Sequence, residues 1–347
     1  MKAHRIPATG GVPAVSGRSH AESSAGDGHP GWPLRAVVEA ATMAPSLHNS
    51  QPWRFEVRDG GVDVFADHTR QLEVLDPAGR ELLISCGAAV FTLRLAMRAQ
   101  GAVPRTRLLL ADGDPADRPV ARVEPGRAAA AGAQVTALAA AIARRHTNRW
   151  PFAATVVPSD VVEQLVQAAA FEGAVLTVAN ASARTAILGL TRAAERRLRR
   201  DHGYRAELGR WTRPGLRRTD GIPPSAIGPW DALETMPIRD FGLVHPALLR
   251  RAERFEPYPM ILVLATRGDD RRDWLAAGQA LQRVLLVATA NGLATTPISQ
   301  PVELPAVRAV LTDTPGGVWA QMVIRIGYGP AAQATPRRPL AEVLRGA

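Results

Sequence analysis

The chain has 347 residues, 46% of them hydrophobic and 21% charged, a size that suits two domains or two repeats and a core needing no disulfide. Cys86 is the single cysteine, which excludes a disulfide framework and any cysteine-based zinc or iron–sulfur site and agrees with a reducing, cytoplasmic setting. The formal net charge is +10, and Lys2 is the only lysine among 42 basic residues, which excludes a P-loop, a kinase-type catalytic lysine and a pyridoxal-phosphate Schiff base.

Residues 1–31 are rich in Gly, Ala, Pro and Ser without an apolar period and read as a disordered tail. A literal GxGxxG inside it, GDGHPG at 26–31, follows no strand and is crowded by prolines, so it is not a nucleotide fingerprint. No h-region is present and no apolar run approaches the ~18 residues of a membrane span, so neither a signal peptide nor a transmembrane helix is expected. From Leu34 the pattern is regular: Leu34, Val37, Val38 and Ala41 share a helical face that Pro45 ends. WRFEVR and VDVFAD alternate around Asp59-Gly60-Gly61, a hairpin signal. A second helix is predicted over 80–100, apolar at Leu82, Leu83, Val90, Leu93 and Leu95, with Gly101 as its stop. RTRLLL and PVARVE read as strands, and an Ala/Gly-rich stretch at 126–133 leads into a helix ending near Arg145.

A second cycle follows. Residues 162–171 lie on 34–43 without a gap, sharing apolar pairs and an Ala-Ala, which points to an internal repeat. Ile187, Leu190, Ala194 and Leu198 make an amphipathic helix whose basic end, with Arg196, Arg197, Arg199 and Arg200, suits the helix dipole. Residues 212–246 hold six prolines and little periodicity, the character of a lid or binding loop. MILVLAT is a buried strand, 274–290 a long apolar helix and WAQMVIRI another strand, after which 336–339 lead to a short terminal helix. Strands and helices are interleaved, which predicts α+β or α/β layering, with helices around a mixed β-sheet.

Four stretches carry more polar specificity than folding requires. APSLHNSQPW at 44–53 offers Ser, His, Asn, Ser and Gln groups between a helix and a strand, able to hydrogen-bond the edge of a flat heterocycle or to form local turns. In RRHTNR at 144–149, Arg145, Thr147 and Arg149 alternate and so share one side of an extended segment, where two guanidiniums flanking a hydroxyl suit a phosphate. GLATTPISQP at 292–301 is a strand ending in a turn whose backbone can face a ligand, and Arg337-Arg338 is a second phosphate-capable pair. HExxH, GxSxG and CxxC are missing and the histidines are scattered, so no metal site is expected.

Together these motifs resemble the FMN-binding nitroreductase family, most closely its Acg-like subfamily, over roughly residues 34–345. APSLHNSQPW is similar to the family's Ser/Asn-QPW loop, RRHTNR to its Arg-x-Ser/Thr-x-basic motif, GLATTPISQP to the strand nearing the flavin ring, and IRIGYG with TPRRPL to its C-terminal phosphate end. In the ordinary family the Arg motif precedes the QPW loop and two chains share two flavins. Here the order is reversed, which implies an intrachain pseudo-dimer with one FMN per chain. The expected parts are a first half over 32–125 carrying the QPW loop, a second over 126–347 carrying the Arg motif, and 212–246 as a lid insertion.

The resemblance assigns Arg145, Thr147 and Arg149 to the phosphate and ribityl side, with Arg149 also near the flavin pyrimidine edge. Pro45, Ser46, Leu47 and Asn49 flank the ring, backbone groups of Ser299 and Gln300 face its N5 edge, and Arg337 or Arg338 completes the phosphate site. The family pattern has an acidic residue and a glycine where Ser299 and Gln300 stand. The implied activity is NAD(P)H-dependent reduction of a nitroaromatic, quinone or similar acceptor by hydride transfer through FMN, with no catalytic side chain. The alternative is a protein that stores or sequesters FMN beneath a closed lid. Neither nucleic acid nor membrane is expected as a partner, and both monomer and homodimer stay open.

Overall fold

The computed structural model describes residues 32–110, 117–213, 218–313 and 316–345; the tail expected over 1–31 lies outside the described residues. The first helix, α1 (Leu34–Ala41), precedes the expected hairpin of β1 (Trp53–Arg58) and β2 (Gly61–Ala66). Asp59 and Gly60 form its turn at φ 50° and 69°, the left-handed geometry that matches strand twist in a two-residue loop. α2 (Arg80–Ala99), β3 (Ala102–Leu108), β4 (Pro119–Ala128) and α3 (Ala133–Ile142) follow. β4 therefore runs past residue 125, where a boundary between halves was expected.

α4 (Ser159–Phe171), β5 (Val175–Val178) and α5 (Ala181–Arg200) open the second cycle. α6 (His202–Thr212) comes next, capped by the Asp201 carboxylate on the Tyr204 N–H at 3.0 Å. Residues 218–246 are largely irregular, with a 3-10 turn at Pro224–Ala226 and a two-residue strand, β6 (Trp230–Asp231), paired to β7 (Ala252–Glu253). Ile222, Ile227 and Phe241 anchor this segment against Tyr204, Leu208 and Trp211 of α6. The order then runs β8 (Met260–Thr266), α7 (Arg271–Ala290), β9 (Ala294–Ile298), α8 (Gln300–Glu303), α9 (Pro305–Leu311), β10 (Trp319–Gly327), α10 (Leu340–Val343) and β11 (Leu344–Arg345). α7 starts three residues before the expected Trp274, because Asp270 and Asp273 form a capping box that closes its first turn.

The strands form two principal sheets, ordered β11-β1-β2-β4-β3 and β5-β8-β10-β9. The second is wholly antiparallel; in the first, β11 runs parallel to β1 through Phe55–Leu344 and Glu56–Arg345. The end of the chain thus closes the edge of the sheet built by its beginning, a strand too short to show in the sequence.

α2 and α7 cross in the centre. Each has 20 residues, and each carries a glycine at its eighth position, Gly87 and Gly278. A Cβ on Gly87 would overlap the Leu275 carbonyl oxygen and stand 3.0 Å from the Gly278 Cα; one on Gly278 would overlap the Ile84 oxygen and stand 2.9 Å from the Gly87 Cα. The contact is reciprocal, as a two-fold relation between the helices requires. α1 packs on α2 as α4 packs on α7. By length and composition α2 could cross a bilayer, against the sequence expectation, but 83% of its apolar window is buried in the protein, as befits a central core helix.

Candidate functional site

The loop after α1 is strained and heavily tied. His48, Asn49 and Gln51 all adopt left-handed backbone (φ 51°, 55° and 50°), at about 1–3 kcal/mol each for non-glycine residues. Asn49 Nδ2 donates to the Gly221 and Pro336 carbonyls, both at 3.0 Å, while its Oδ1 accepts from Arg337 at 3.1 Å. Gln51 Nε2 donates to the Thr219 carbonyl at 2.9 Å and its Oε1 accepts from the Arg338 N–H at 2.9 Å. The loop is thereby clamped between residues 219–221 and the C-terminal 335–338. Its conformation presents Pro45, Ser46, Leu47 and His48 to a cavity.

Both cycles build that cavity. Ile84, Ser85 and Ala88 of α2 form one wall, and Thr147, Arg149, the 296–300 turn and Met322 form another. A bridge between Thr147 and Thr295 lays the extended 145–149 stretch beside β9. Ile238, Arg239 and Phe241 from the Pro-rich segment cover it. Ser299 and Gln300 line it, and their side chains hold the cover: Ser299 Oγ accepts from Arg239 at 3.3 Å and Gln300 Nε2 donates to the Pro237 carbonyl at 3.1 Å.

The arginines divide into two kinds. Arg325, 0% exposed, grips Glu256 through two bonds of 2.6 Å, and buried Arg239 holds Glu303 at 2.5 and 2.6 Å. These are neutralised charges. Arg145 and Arg337 differ, since among the described residues neither meets a carboxylate. Both donate to one acceptor, the Met43 carbonyl, each at 3.3 Å, and the Nε of each is buried without a partner. Burial, with Arg337 beside it, pushes the Arg145 guanidinium down to about 9, and burial pushes Arg337 down to about 10. One buried and one half-buried cation, each with an unpaired Nε, form a site for a multiply charged oxyanion.

Arg149 likewise lacks a carboxylate among the described residues: it donates to the Ala226 carbonyl at 2.9 Å and lies 4.7 Å over the Phe241 ring. Arg338 does not join the pair. It donates to the Gln51 carbonyl at 3.3 Å and to Glu342, so adjacent arginines in an extended segment point apart, one inward and one to the loop.

Three titratable side chains of the lining, His48, Glu81 and Arg239, lie outside the predicted site residues. His48 is 4% exposed, its edge meets Phe241 at 5.1 Å, and neither ring nitrogen has a partner. Burial, with Arg239 and Arg149 nearby, pushes the imidazole well below its ordinary range, so the ring is neutral. Burial pushes Glu81 up to about 7, against the pull of Arg80 beside it. Arg239 reaches in from a segment with no sequence period, and nothing in the sequence marked it. Among the described residues, no His, Cys, Asp and Glu cluster could hold a metal ion.

The chain matches the family model described as "Nitroreductase family" over residues 142–328. Over 327 residues it is 34% identical to "Putative NAD(P)H nitroreductase Rv3131" of Mycobacterium tuberculosis (strain ATCC 25618 / H37Rv), covering 90% of each chain. It is 33% identical over 318 residues to "Putative NAD(P)H nitroreductase acg" of the same strain, covering 89% of this chain and 94% of that one. The chain belongs to the nitroreductase family. Its likeness to these relatives spans both cycles, in agreement with the Acg-like resemblance of its motifs. Among solved structures it is similar to the FMN-dependent nitroreductase NfnB from Mycobacterium smegmatis, with 18% identity, a TM-score of 0.37, and coverage of 62% of this chain and 99% of that one.

Proposed function

We propose that the chain is an FMN flavoprotein, with one FMN per pseudo-dimeric chain, that uses NAD(P)H to reduce a nitroaromatic, quinone or similar acceptor. The observation that carries this reading is the carboxylate-free Arg145–Arg337 pair, with Arg145 at the start of the extended stretch that continues through Thr147 and Arg149 into the cavity. A dianionic phosphate on one end and a flat ring on the other match that layout. When bound, FMN supplies the two-electron chemistry.

The protein residues bind, orient and exclude water. Arg145 and Arg337 hold the phosphate, with Arg338 fixing the QPW loop rather than touching the ligand. Pro45, Ser46 and Leu47 flank the ring from the first cycle, and the backbone at Ser299 and Gln300 approaches from the second. The Arg149 cation favours an electron-rich ring electrostatically. The neutral His48 ring has two nitrogens free to meet ligand polar atoms, which relieves their burial.

Residues 212–246 act as a lid through Ile238, Arg239 and Phe241. One observation favours a second reading, FMN storage with little turnover: the lid is latched by Arg239 on Glu303, with side chains 4% and 1% exposed. Adding NAD(P)H without oxygen separates the readings. Rapid bleaching of the oxidised flavin band supports turnover, and an unchanged spectrum supports storage.

A further inference from the structure

A second, open cavity shares Arg149, Ile238 and Arg239 of its lining with the first. Its lining is rich in arginine. Its carboxylates are mostly committed: Asp240 takes Arg199 at 2.9 Å and Arg250 at 2.7 Å. Glu195 takes Arg199 at 3.4 Å through one oxygen while its other oxygen is buried without a partner, and Asp231 accepts from the Leu233 and Met236 N–H groups and the Thr235 hydroxyl. Glu234 lies exposed to solvent.

Three of the lining arginines, in contrast, meet no carboxylate among the described residues. Arg192 and Arg196 sit one turn apart on α5, so their side chains share a face. Arg192 meets only the Thr235 carbonyl, at 3.3 Å, and among the described residues neither it, Arg196 nor Arg149 has a carboxylate. Beside them Trp230 presents a ring that is 45% exposed, held by its backbone N–H on the Arg251 carbonyl at 2.9 Å. Guanidiniums not paired to a carboxylate, beside an accessible aromatic face, form the recognition set for a phosphorylated ligand carrying a flat base.

We infer that the second cavity receives the phosphorylated adenosine end of the nicotinamide dinucleotide, with Arg192 and Arg196 on its phosphates and Trp230 against its base. This rests on the dinucleotide donor of the proposed function. It adds a place for that donor's non-reacting half, against the partition that walls the first cavity, and it expects a preference for the 2′-phosphorylated form.

The test is calorimetric titration of the purified protein, as isolated, with 2′,5′-ADP and with 5′-AMP. The first should bind more tightly, with an affinity that falls as salt rises. The double variant Arg192→Gln/Arg196→Gln, exposed or half-exposed on one helix face, should weaken 2′,5′-ADP at least about tenfold, the scale of one charge-assisted contact. Trp230→Ala should weaken both nucleotides alike. Failure of the wild-type protein to bind 2′,5′-ADP, or undiminished binding by the double variant, overturns the inference. Flavin content separates the two proposals. A yellow protein that ignores 2′,5′-ADP sinks this inference alone, and a protein that binds 2′,5′-ADP through Arg192 and Arg196 but takes up no FMN sinks the flavin reading alone.

Discussion

Replacing Arg145 by Met should change two quantities in opposite directions. Arg145 is 3% exposed, hydrogen-bonds only the Met43 carbonyl, and faces Arg337. Without an anion its charge opposes folding, which is why its guanidinium lies near 9, well below the ordinary guanidinium range. The sign follows from linkage. Below about 9 both folded and unfolded chains carry the proton and the full penalty stands; as pH rises through 9 the folded state releases its proton first, and stability rises. Arg145→Met should therefore leave the FMN-free protein as stable at pH 7, or more stable by about 1–4 kcal/mol, the range seen when buried charges give way to apolar groups. Binding moves the other way. A charge-assisted bond to phosphate contributes about 1.5–3 kcal/mol, so FMN should bind roughly ten- to a hundredfold more weakly. Urea unfolding of the FMN-free protein gives the first quantity and calorimetric FMN titration the second. A variant that is less stable yet binds FMN unchanged would refute the reasoning, because Arg145 would then be a structural residue.

Three further outcomes are expected. Gly87→Ala should destabilise the protein by about 3 kcal/mol or more, since the new Cβ meets backbone of α7 that cannot swing aside; a loss under about 1 kcal/mol in urea unfolding would deny the close helix crossing. Glu81 lies near 7 when folded against 4.5 ordinarily, so the stability it contributes is complete below about 4.5 and lost as pH rises through 7; Glu81→Gln should flatten that slope, and an identical pH profile in the variant would contradict it. Exchanging the latch for an apolar pair, Arg239→Met with Glu303→Leu, should speed anaerobic flavin bleaching by NAD(P)H without unfolding the protein; an unaltered stopped-flow rate would remove the lid reading.

The parts legible in the sequence are those whose chemistry is local. The 59–60 turn, the long helices and the alternation of Arg145, Thr147 and Arg149 depend on neighbours a few residues away, and the structure brings Thr147 and Arg149 to the cavity. α6 carries a local signal, an Asp201 cap followed by Tyr204, Leu208 and Trp211 at helical spacing, and it adjoins a proline-rich run without any period. Arg337 and Arg338 are indistinguishable as neighbours in a string; only their partners separate them. Arg239 reaches the site from an aperiodic segment and is fixed by Glu303, 64 residues away in the chain, so no local pattern announces it. The facing of Gly87 and Gly278 is likewise a tertiary fact carried by two ordinary-looking helical glycines. His48 stood in a recognised loop, yet its importance lies in its burial and its unpaired nitrogens, which only packing reveals.

The central claim, that the carboxylate-free Arg145–Arg337 pair and the adjoining cavity form a flavin site, is tested most directly by the visible spectrum and flavin content of the purified chain after incubation with FMN and desalting. A flavin site there predicts a yellow protein retaining close to one FMN per chain, and loss of that retention in Arg145→Met/Arg337→Met. A wild-type protein that emerges colourless, or a double variant that holds FMN as firmly as wild type, would contradict it.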